Sequence, residues 1–266
     1  MPLKVQEIQK LARVVDDALV QAYEIERLTA TFADLSLSDA YLIQDEGIRF
    51  RRIRGEREVG YKMGLTSEAK RKQMNLDAPI YGILTDKMQL SERQNFSLTG
   101  SIHPKIEPEI AFIIEKELSG KVTPEQALAA CAWVCPALEI LDSRFLNFKY
   151  FSLPDVVADN CSSSKFVLGQ RKFSAREFQV DDLARLELTM QVNGKVVESA
   201  VSSAVSGNPV YSLVELCSLL DSRGLSLKAG SIVLTGAATA AIALEPGSQI
   251  DLEVEKLGNT WLKTIP

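Results

Sequence analysis

Apolar positions in the first part of the chain recur at three- and four-residue steps. Ile8, Leu11, Val15, Leu19 and Ala22 make one stripe, which predicts an amphipathic helix. A second helix follows, with Ser38 available as its N-cap and its end near Gly55. Its last turns hold Arg49, Arg51, Arg52 and Arg54, cations that complement the negative C-terminal end of the helix dipole. The run can be read as a phosphate patch, but a solvated helix end is the plainer reading.

Beyond Gly55 the pattern changes to short apolar runs bounded by glycines and turn residues. Strands are predicted over 58–63, 105–114, 136–141, 165–168, 184–193, 230–235 and 249–255, with Asn193-Gly194 as a hairpin turn. Helical stretches interrupt them at 67–74, 124–134 and 211–222, and Trp133 reads as part of a helix packed on the core. They are too few and too irregular for a doubly wound parallel sheet. The expected fold class is α+β, with a helical N-terminal segment over 1–57 followed by a mostly β body over 58–266.

Composition narrows the chemistry. With 266 residues, 46% hydrophobic and 24% charged, the chain is of ordinary globular type and long enough to form a core without disulfides. Thirty Lys+Arg against 35 Asp+Glu give a net charge of -5, so no nucleic-acid partner is expected. The longest uncharged stretches, 127–138 and 229–244, are too short to span a membrane, and the N-terminus has no apolar signal segment; a soluble cytoplasmic protein with no membrane partner is expected. Cys131, Cys135, Cys161 and Cys217 include no Cys-x-x-Cys pair, and Cys131 reads as a core residue. The single histidine, His103, precedes a proline and reads as a turn residue. Catalysis must then rest on carboxylates, lysines, hydroxyls or a metal.

The segment His103–Phe112 carries the strongest chemical signal. As a strand it puts Ile106, Pro108, Ile110 and Phe112 on one face and Glu107, Glu109 and Ala111 on the other. Two carboxylates about 7 Å apart at Cα and pointing the same way repel each other unless a cation sits between them. The competing reading is an edge strand with a wet polar face, which Pro108 also fits. Glu139, alone inside the apolar run 136–141, needs a partner from elsewhere in the fold. Glu107, Glu109 and Glu139 together would suit a hard divalent ion, Mg²⁺ or Mn²⁺. Arg144 or Lys165 in a buried ion pair with Glu139 is the alternative. Lys62, on a strand entering the turn at Gly64, precedes a helix start capped by Thr66 or Ser67, a plausible grip for an anion. The loops 159–164 and 235–239 are rich in hydroxyls or glycine and can line a pocket or simply turn.

Six segments recur together, in this order and spacing, in a known family: Tyr-Lys-Met-Gly-Leu-Thr-Ser (61–67), Pro-Ile-Tyr-Gly (79–82), 103–112, Pro-Ala-Leu-Glu-Ile-Leu-Asp-Ser-Arg (136–144), Val-Ala-Asp-Asn (157–160) and Val-Leu-Thr-Gly (233–236). Over nearly its whole length the chain resembles the hydratase/decarboxylase family of the aromatic meta-cleavage pathways, related to the fumarylacetoacetate hydrolase fold. The resemblance implies a mixed β roll behind the helical segment. It implies that Glu107, Glu109 and Glu139 hold Mg²⁺ or Mn²⁺ and that Lys62 is catalytic. It places Leu65, Thr66, Ser67, Ile80, Ser162, Thr235 and Gly236 around a small 2-oxo diacid substrate.

In hydratases of the family the place of Ile80 is typically an Asp, so its apolar side chain implies the decarboxylase branch. So do Asp142-Ser143-Arg144-Phe145 and Asn147-Phe148-Lys149. The implied activity is loss of CO₂ from 2-oxo-3-hexenedioate to give 2-hydroxypenta-2,4-dienoate, with self-association and pairing with a cognate hydratase as implied partnerships. A 2-oxoalkenoate hydratase, and a non-catalytic partner of such a hydratase, are the alternatives. One departure from the family pattern is Ala237, where a second glycine is expected after Gly236.

Overall fold

A computed structural model describes residues 2–67, 79–91, 94–148 and 152–266. The chain opens with α1 (Val5–Gln21), α2 (Leu28–Thr31) and α3 (Leu37–Ile53). In α1, Ile8, Leu11 and Val15 of the expected stripe are buried, joined by Ala12 and Ala18, while Leu19 is half-buried and Ala22 is the C-cap. Helix α3 starts two residues earlier than expected. Its cap is Ser36, whose hydroxyl accepts from the amide of Asp39, while Ser38 lies inside the first turn.

Strands follow as β1 (Glu58–Gly64), β2 (Ile80–Thr85), β3 (Gln89–Leu90), β4 (Asn95–Ser97), β5 (Lys105–Ile114), then α4 (Pro124–Ala129) and β6 (Cys131–Leu141). After α5 (Leu153–Ala158) come β7 (Ser163–Leu168), β8 (Phe173–Ser174), β9 (Glu187–Val192), β10 (Lys195–Val201), α6 (Pro209–Asp221), β11 (Ile232–Leu234), β12 (Ile242–Ala243), β13 (Gln249–Val254) and β14 (Gly258–Ile265). The larger sheet runs β2-β1-β11-β5-β6-β7-β3, with β12 beside β5 and β8 beside β6; the smaller runs β10-β9-β13-β14-β4. Both are mixed, since β1–β11, β3–β7 and β14–β4 pair in parallel while the other pairs are antiparallel. Asn193 and Gly194, with φ of 51° and 77°, form the tight turn joining β9 to β10.

Three expectations change. Residues 131–134 are strand, not helix: α4 stops at Ala129, and Cys131 and Trp133 pair with Ile114 and Ile113, leaving Trp133 43% exposed. The strand expected from 184 begins at Glu187, because Val180–Ala184 turns as a short 3₁₀ helix. Strand β5 is central, flanked by β6 on one side and by β11 and β12 on the other. The helix expected over 67–74 lies, beyond Ser67, outside the described residues, as does Lys149.

Pro108 is tolerated in the middle of the sheet for a specific reason. The carbonyls of Pro108 and Ile110 accept from Ala238 and Thr235, so the backbone of both residues faces the β11 side. There β11 pairs only as far as Ala111 and β12 begins only at Ile106. The missing N–H of Pro108 therefore falls in the gap between two partner strands.

The two faces of the larger sheet do different work. Ile106, Ile110, Phe112, Leu138 and Ile140 join the main core with residues of the helices and the smaller sheet. The other face carries Phe166, Met88, Leu84 and Leu234 together with the small side chains Ala111, Cys135 and Ala137. Small residues there leave room for the polar groups at the same face's end. The approach of β1 to β11 is close as well: a Cβ on Gly60 would lie 1.8 Å from the Ile232 carbonyl oxygen. Gly60→Ala is expected to lose at least about 3 kcal/mol of stability, since backbone rather than a side chain must move. Urea denaturation checks this.

Candidate active site

The register of β5 and β6 brings the acids together. Glu107 and Glu139 are directly opposite in the ladder, and Glu109 is opposite Ala137 on the same face. One oxygen from each of Glu107, Glu109 and Glu139 lies within 4.8 Å of the others. Glu109 and Glu139 are fully buried. Lys62 reaches them from β1, where it pairs with Leu234 of β11, itself opposite Ala111 of β5. Its Nζ is 3.0 Å from Glu139 Oε2, and Ser163 donates to Glu139 Oε1 at 3.1 Å.

Glu139 therefore pairs with neither of the partners first considered. Arg144 is bound to Asp159 and to the carbonyls of Asp142 and Asp159, and Lys165 donates to the Lys87 carbonyl at 2.9 Å.

The electrostatics are set by burial and by the neighbouring carboxylates. Burial, and then Glu139, push the Glu109 carboxyl well above the usual carboxylate range, against the opposing pull of Lys62 and of the Gly236 amide. Burial disfavours the Lys62 ammonium, but Glu139, Glu107 and Glu109 overcome it and hold its pKa above the ordinary lysine value. Glu109 Oε2 accepts from the Gly236 amide at 2.8 Å, whereas Oε1 is buried without a hydrogen bond. A buried, unpaired carboxylate oxygen beside two further carboxylates is the donor set a hard divalent cation takes. The residues fit such an ion.

A cavity of about 200 Å³ opens onto this cluster. Lys62, Leu65, Thr66, Ser67, Ile80 and Glu107 line it, as expected from the sequence. Leu65 takes a left-handed φ of 56°, a costly conformation for a leucine and one that turns the chain at the cavity. Ile80, Met63, Leu141 and Val156 make one side of the wall apolar. Gly236 sits behind it with φ of 106°, and a Cβ there would lie 2.4 Å from the Thr66 hydroxyl. That glycine lets the two loops touch.

Besides Gly236, two further residues expected at the substrate, Ser162 and Thr235, do not line the cavity. The Ser162 hydroxyl donates to Asp159 at 3.2 Å, and the Thr235 hydroxyl donates to the Ile110 carbonyl at 2.8 Å, each buried within the scaffold. Cys161 lines it instead, from a run in which Asn160, Cys161 and Ser162 all have φ between 49° and 57°. Three consecutive left-handed residues without glycine are strained. The Asn160 side chain anchors them, accepting from Ile83 N and donating to Ile83 O at 2.8 and 2.9 Å. Burial pushes the Cys161 thiol up to about 12, so it faces the cavity as a neutral group. Ala237 and Thr239 complete the wall from the second flagged loop. His103 bonds Glu24 at 2.6 Å and is not among the residues that line the cavity.

Comparison with known proteins gives a consistent picture. The fumarylacetoacetate (FAA) hydrolase C-terminal family matches residues 53–261. A 4-oxalocrotonate decarboxylase from Pseudomonas sp is 43% identical over 257 residues, covering 97% of this chain and 98% of the relative. A 2-hydroxyhexa-2,4-dienoate hydratase from Comamonas testosteroni is 36% identical and covers 91% of each chain. The structure of 4-oxalocrotonate decarboxylase from Pseudomonas putida G7, complexed with magnesium and adipate, superimposes with a TM-score of 0.94 at 37% identity over 99% of both chains.

Proposed function

The chain belongs to the fumarylacetoacetate hydrolase family, and from that premise we propose that it is a Mg²⁺- or Mn²⁺-dependent carboxy-lyase converting 2-oxo-3-hexenedioate to 2-hydroxypenta-2,4-dienoate and CO₂. The observation that carries the proposal is the clustering of Glu107, Glu109, Glu139 and Lys62 beside a cavity that Glu107 and Lys62 line and whose other wall, at Ile80, is apolar. Similarity to decarboxylases at 39–43% identity, against 36% and below for the hydratases, supports the same branch. The matched span starting at residue 53 supports a catalytic body over 58–266 preceded by a helical segment over 1–57.

Glu107, Glu109 and Glu139 would hold the cation, which supplies Lewis-acid stabilisation of negative charge on the substrate's 2-oxo oxygen. The rest falls to the chain. In the substrate the C5–C6 bond to the terminal carboxylate breaks, and its electron pair moves through the alkene to the 2-oxo oxygen, leaving a dienolate. Lys62, fixed on β1 and kept charged by the surrounding carboxylates, faces that oxygen and stabilises charge as it develops. Leu65, Thr66 and Ser67 bind the C1 carboxylate end, and Gly236 positions Glu109 through its amide. Ile80, Met63, Leu141 and Val156 keep water from the departing carboxylate and offer no group to carry a proton for hydration.

Self-association and pairing with the hydratase that consumes the product belong to the same proposal. Among the described residues no helix is long and apolar enough to cross a membrane. A headspace assay on 2-oxo-3-hexenedioate tests the activity: CO₂ release with Mg²⁺ or Mn²⁺, abolished by EDTA, is expected. Consumption of substrate without CO₂ would assign the chain to hydration, and undiminished release in EDTA would exclude the metal.

A further inference from the structure

The four arginines that close α3 are not equivalent. Arg49 bonds Glu46 at 2.8 and 2.6 Å, Arg52 bonds Glu58 at 2.6 Å, and Arg54 bonds Asp16 at 2.7 and 2.8 Å. These three behave as the solvated or surface-paired helix end expected from the sequence. Arg51 does not. It is only 7% exposed, its nearest carboxylate is Glu56 at 3.9 Å, and its guanidinium makes no hydrogen bond within the described residues. Glu56 is itself engaged, accepting from the Thr85 hydroxyl at 2.5 Å.

Arg51 faces a cavity of about 380 Å³ between the ends of α1 and α3, the turn before β3, the 96–101 loop and the start of β7. Arg54, Lys87 and Lys165 also line it, against the carboxylates of Glu56 and Asp142. Asp142 is turned to the backbone, taking the amides of Ile102 and His103 at 2.6–3.1 Å. Lys165 is partly buried, and among the described residues its ammonium bonds only the Lys87 carbonyl. Burial brings Arg51 down to about 10, and burial together with Arg51 brings Lys165 below its ordinary value. Both cations thus line one cavity, and no carboxylate is hydrogen-bonded to either among the described residues. This is the converse of the acid cluster, a concave site whose lining cations, Arg51, Arg54, Lys87 and Lys165, outnumber its carboxylates, Glu56 and Asp142. It lies apart from the catalytic cavity, though Leu141 and Asp142, adjacent on the chain, line one cavity each.

We infer that this cavity binds a small oxyanion, the carboxylate or phosphate of a metabolite-sized molecule, between the Arg51 guanidinium and the Lys165 ammonium. A planar guanidinium with free N–H groups matches either anion, and the volume admits a compact organic acid or a phosphate ester.

The test uses full-length protein stripped of divalent metal, so that the catalytic carboxylates repel anions. Inorganic phosphate and succinate are titrated separately at constant ionic strength, by calorimetry and by thermal unfolding. Saturable binding of one, with a rise in Tm, is expected; a phosphate response assigns a phosphorylated ligand and a succinate response an organic acid. Arg51→Met and Lys165→Met should each weaken that binding by about tenfold or more. Without anion, neither variant should lose Tm appreciably, because neither cation is hydrogen-bonded to a carboxylate among the described residues. No saturable response to either anion would overturn the inference. So would a response unchanged in both variants, or a clear loss of Tm in both without anion, which would mark the cations as structural.

Discussion

Lys62→Met is expected to lower kcat/KM for decarboxylation by about 10²–10³, the usual cost of removing a preorganised positive group from a site of developing negative charge. The substitution keeps the length and apolar stem of the side chain, so the β1 ladder and the cavity wall stay in place. What it removes is the only cation with an ion pair to Glu139 among the described residues. In metal-free protein Glu139 would then lose the cation paired with it while still facing Glu107 and Glu109. Breaking a buried pair from one side costs about 3–5 kcal/mol, so metal-free Lys62→Met should be destabilised on that scale. Added Mg²⁺ should recover much of this loss, giving the variant a larger metal-induced rise in Tm than wild type. Steady-state kinetics with urea denaturation, with and without Mg²⁺, measures both effects. Wild-type turnover in the variant would remove Lys62 from the chemistry, and an unchanged metal-free stability would remove it from the charge balance.

The acid cluster was legible because its signal is local. Alternation along 105–114 placed Glu107, Glu109 and Ala111 on one face, and an isolated Glu139 in an apolar run asked for a partner. Which partner it finds is not local. Lys62 reaches it across β11, a three-residue strand whose parallel pairing with β1 no short pattern reveals. The edge reading of β5 failed on the same ground, since Pro108 is allowed by where β11 stops and β12 starts.

Residues 131–134 went astray because a short apolar run after a capped helix fits a further turn or a strand equally well, and only pairing with the far end of β5 decides. Strand β14 was missed for another reason. Its inward positions include Thr260 and Thr264, fully buried threonines that read as polar in sequence. The Thr264 hydroxyl finds partners in the carbonyls of Glu245 and Ser248, which sequence spacing does not show. Ser162 and Thr235 show the reverse case. Hydroxyls in loops beside the cavity look like ligand contacts until the fold turns them onto Asp159 and Ile110.

Glu109→Gln and Glu139→Gln should both reduce Mg²⁺ affinity by on the order of 100-fold or more and abolish metal-dependent turnover, yet they should move metal-free stability in opposite directions. Glu109 is fully buried, is repelled by Glu139 and Glu107, and keeps one oxygen without a hydrogen bond. A neutral amide of the same shape retains an oxygen for the Gly236 amide and relieves the repulsion, so metal-free Glu109→Gln should gain about 1–2 kcal/mol. Glu139 is the carboxylate that Lys62 directly pairs with and that Ser163 bonds. Neutralising it leaves a buried ammonium without its nearest counter-charge, and metal-free Glu139→Gln should lose about 2–4 kcal/mol. Calorimetric Mg²⁺ titration, paired with urea denaturation of rigorously metal-free protein, separates the two. If both variants lost stability equally, the acids would be scaffold residues held by their neighbours. Opposite signs with a shared loss of metal binding are what a cation site requires when a lysine pairs with Glu139 and not with Glu109.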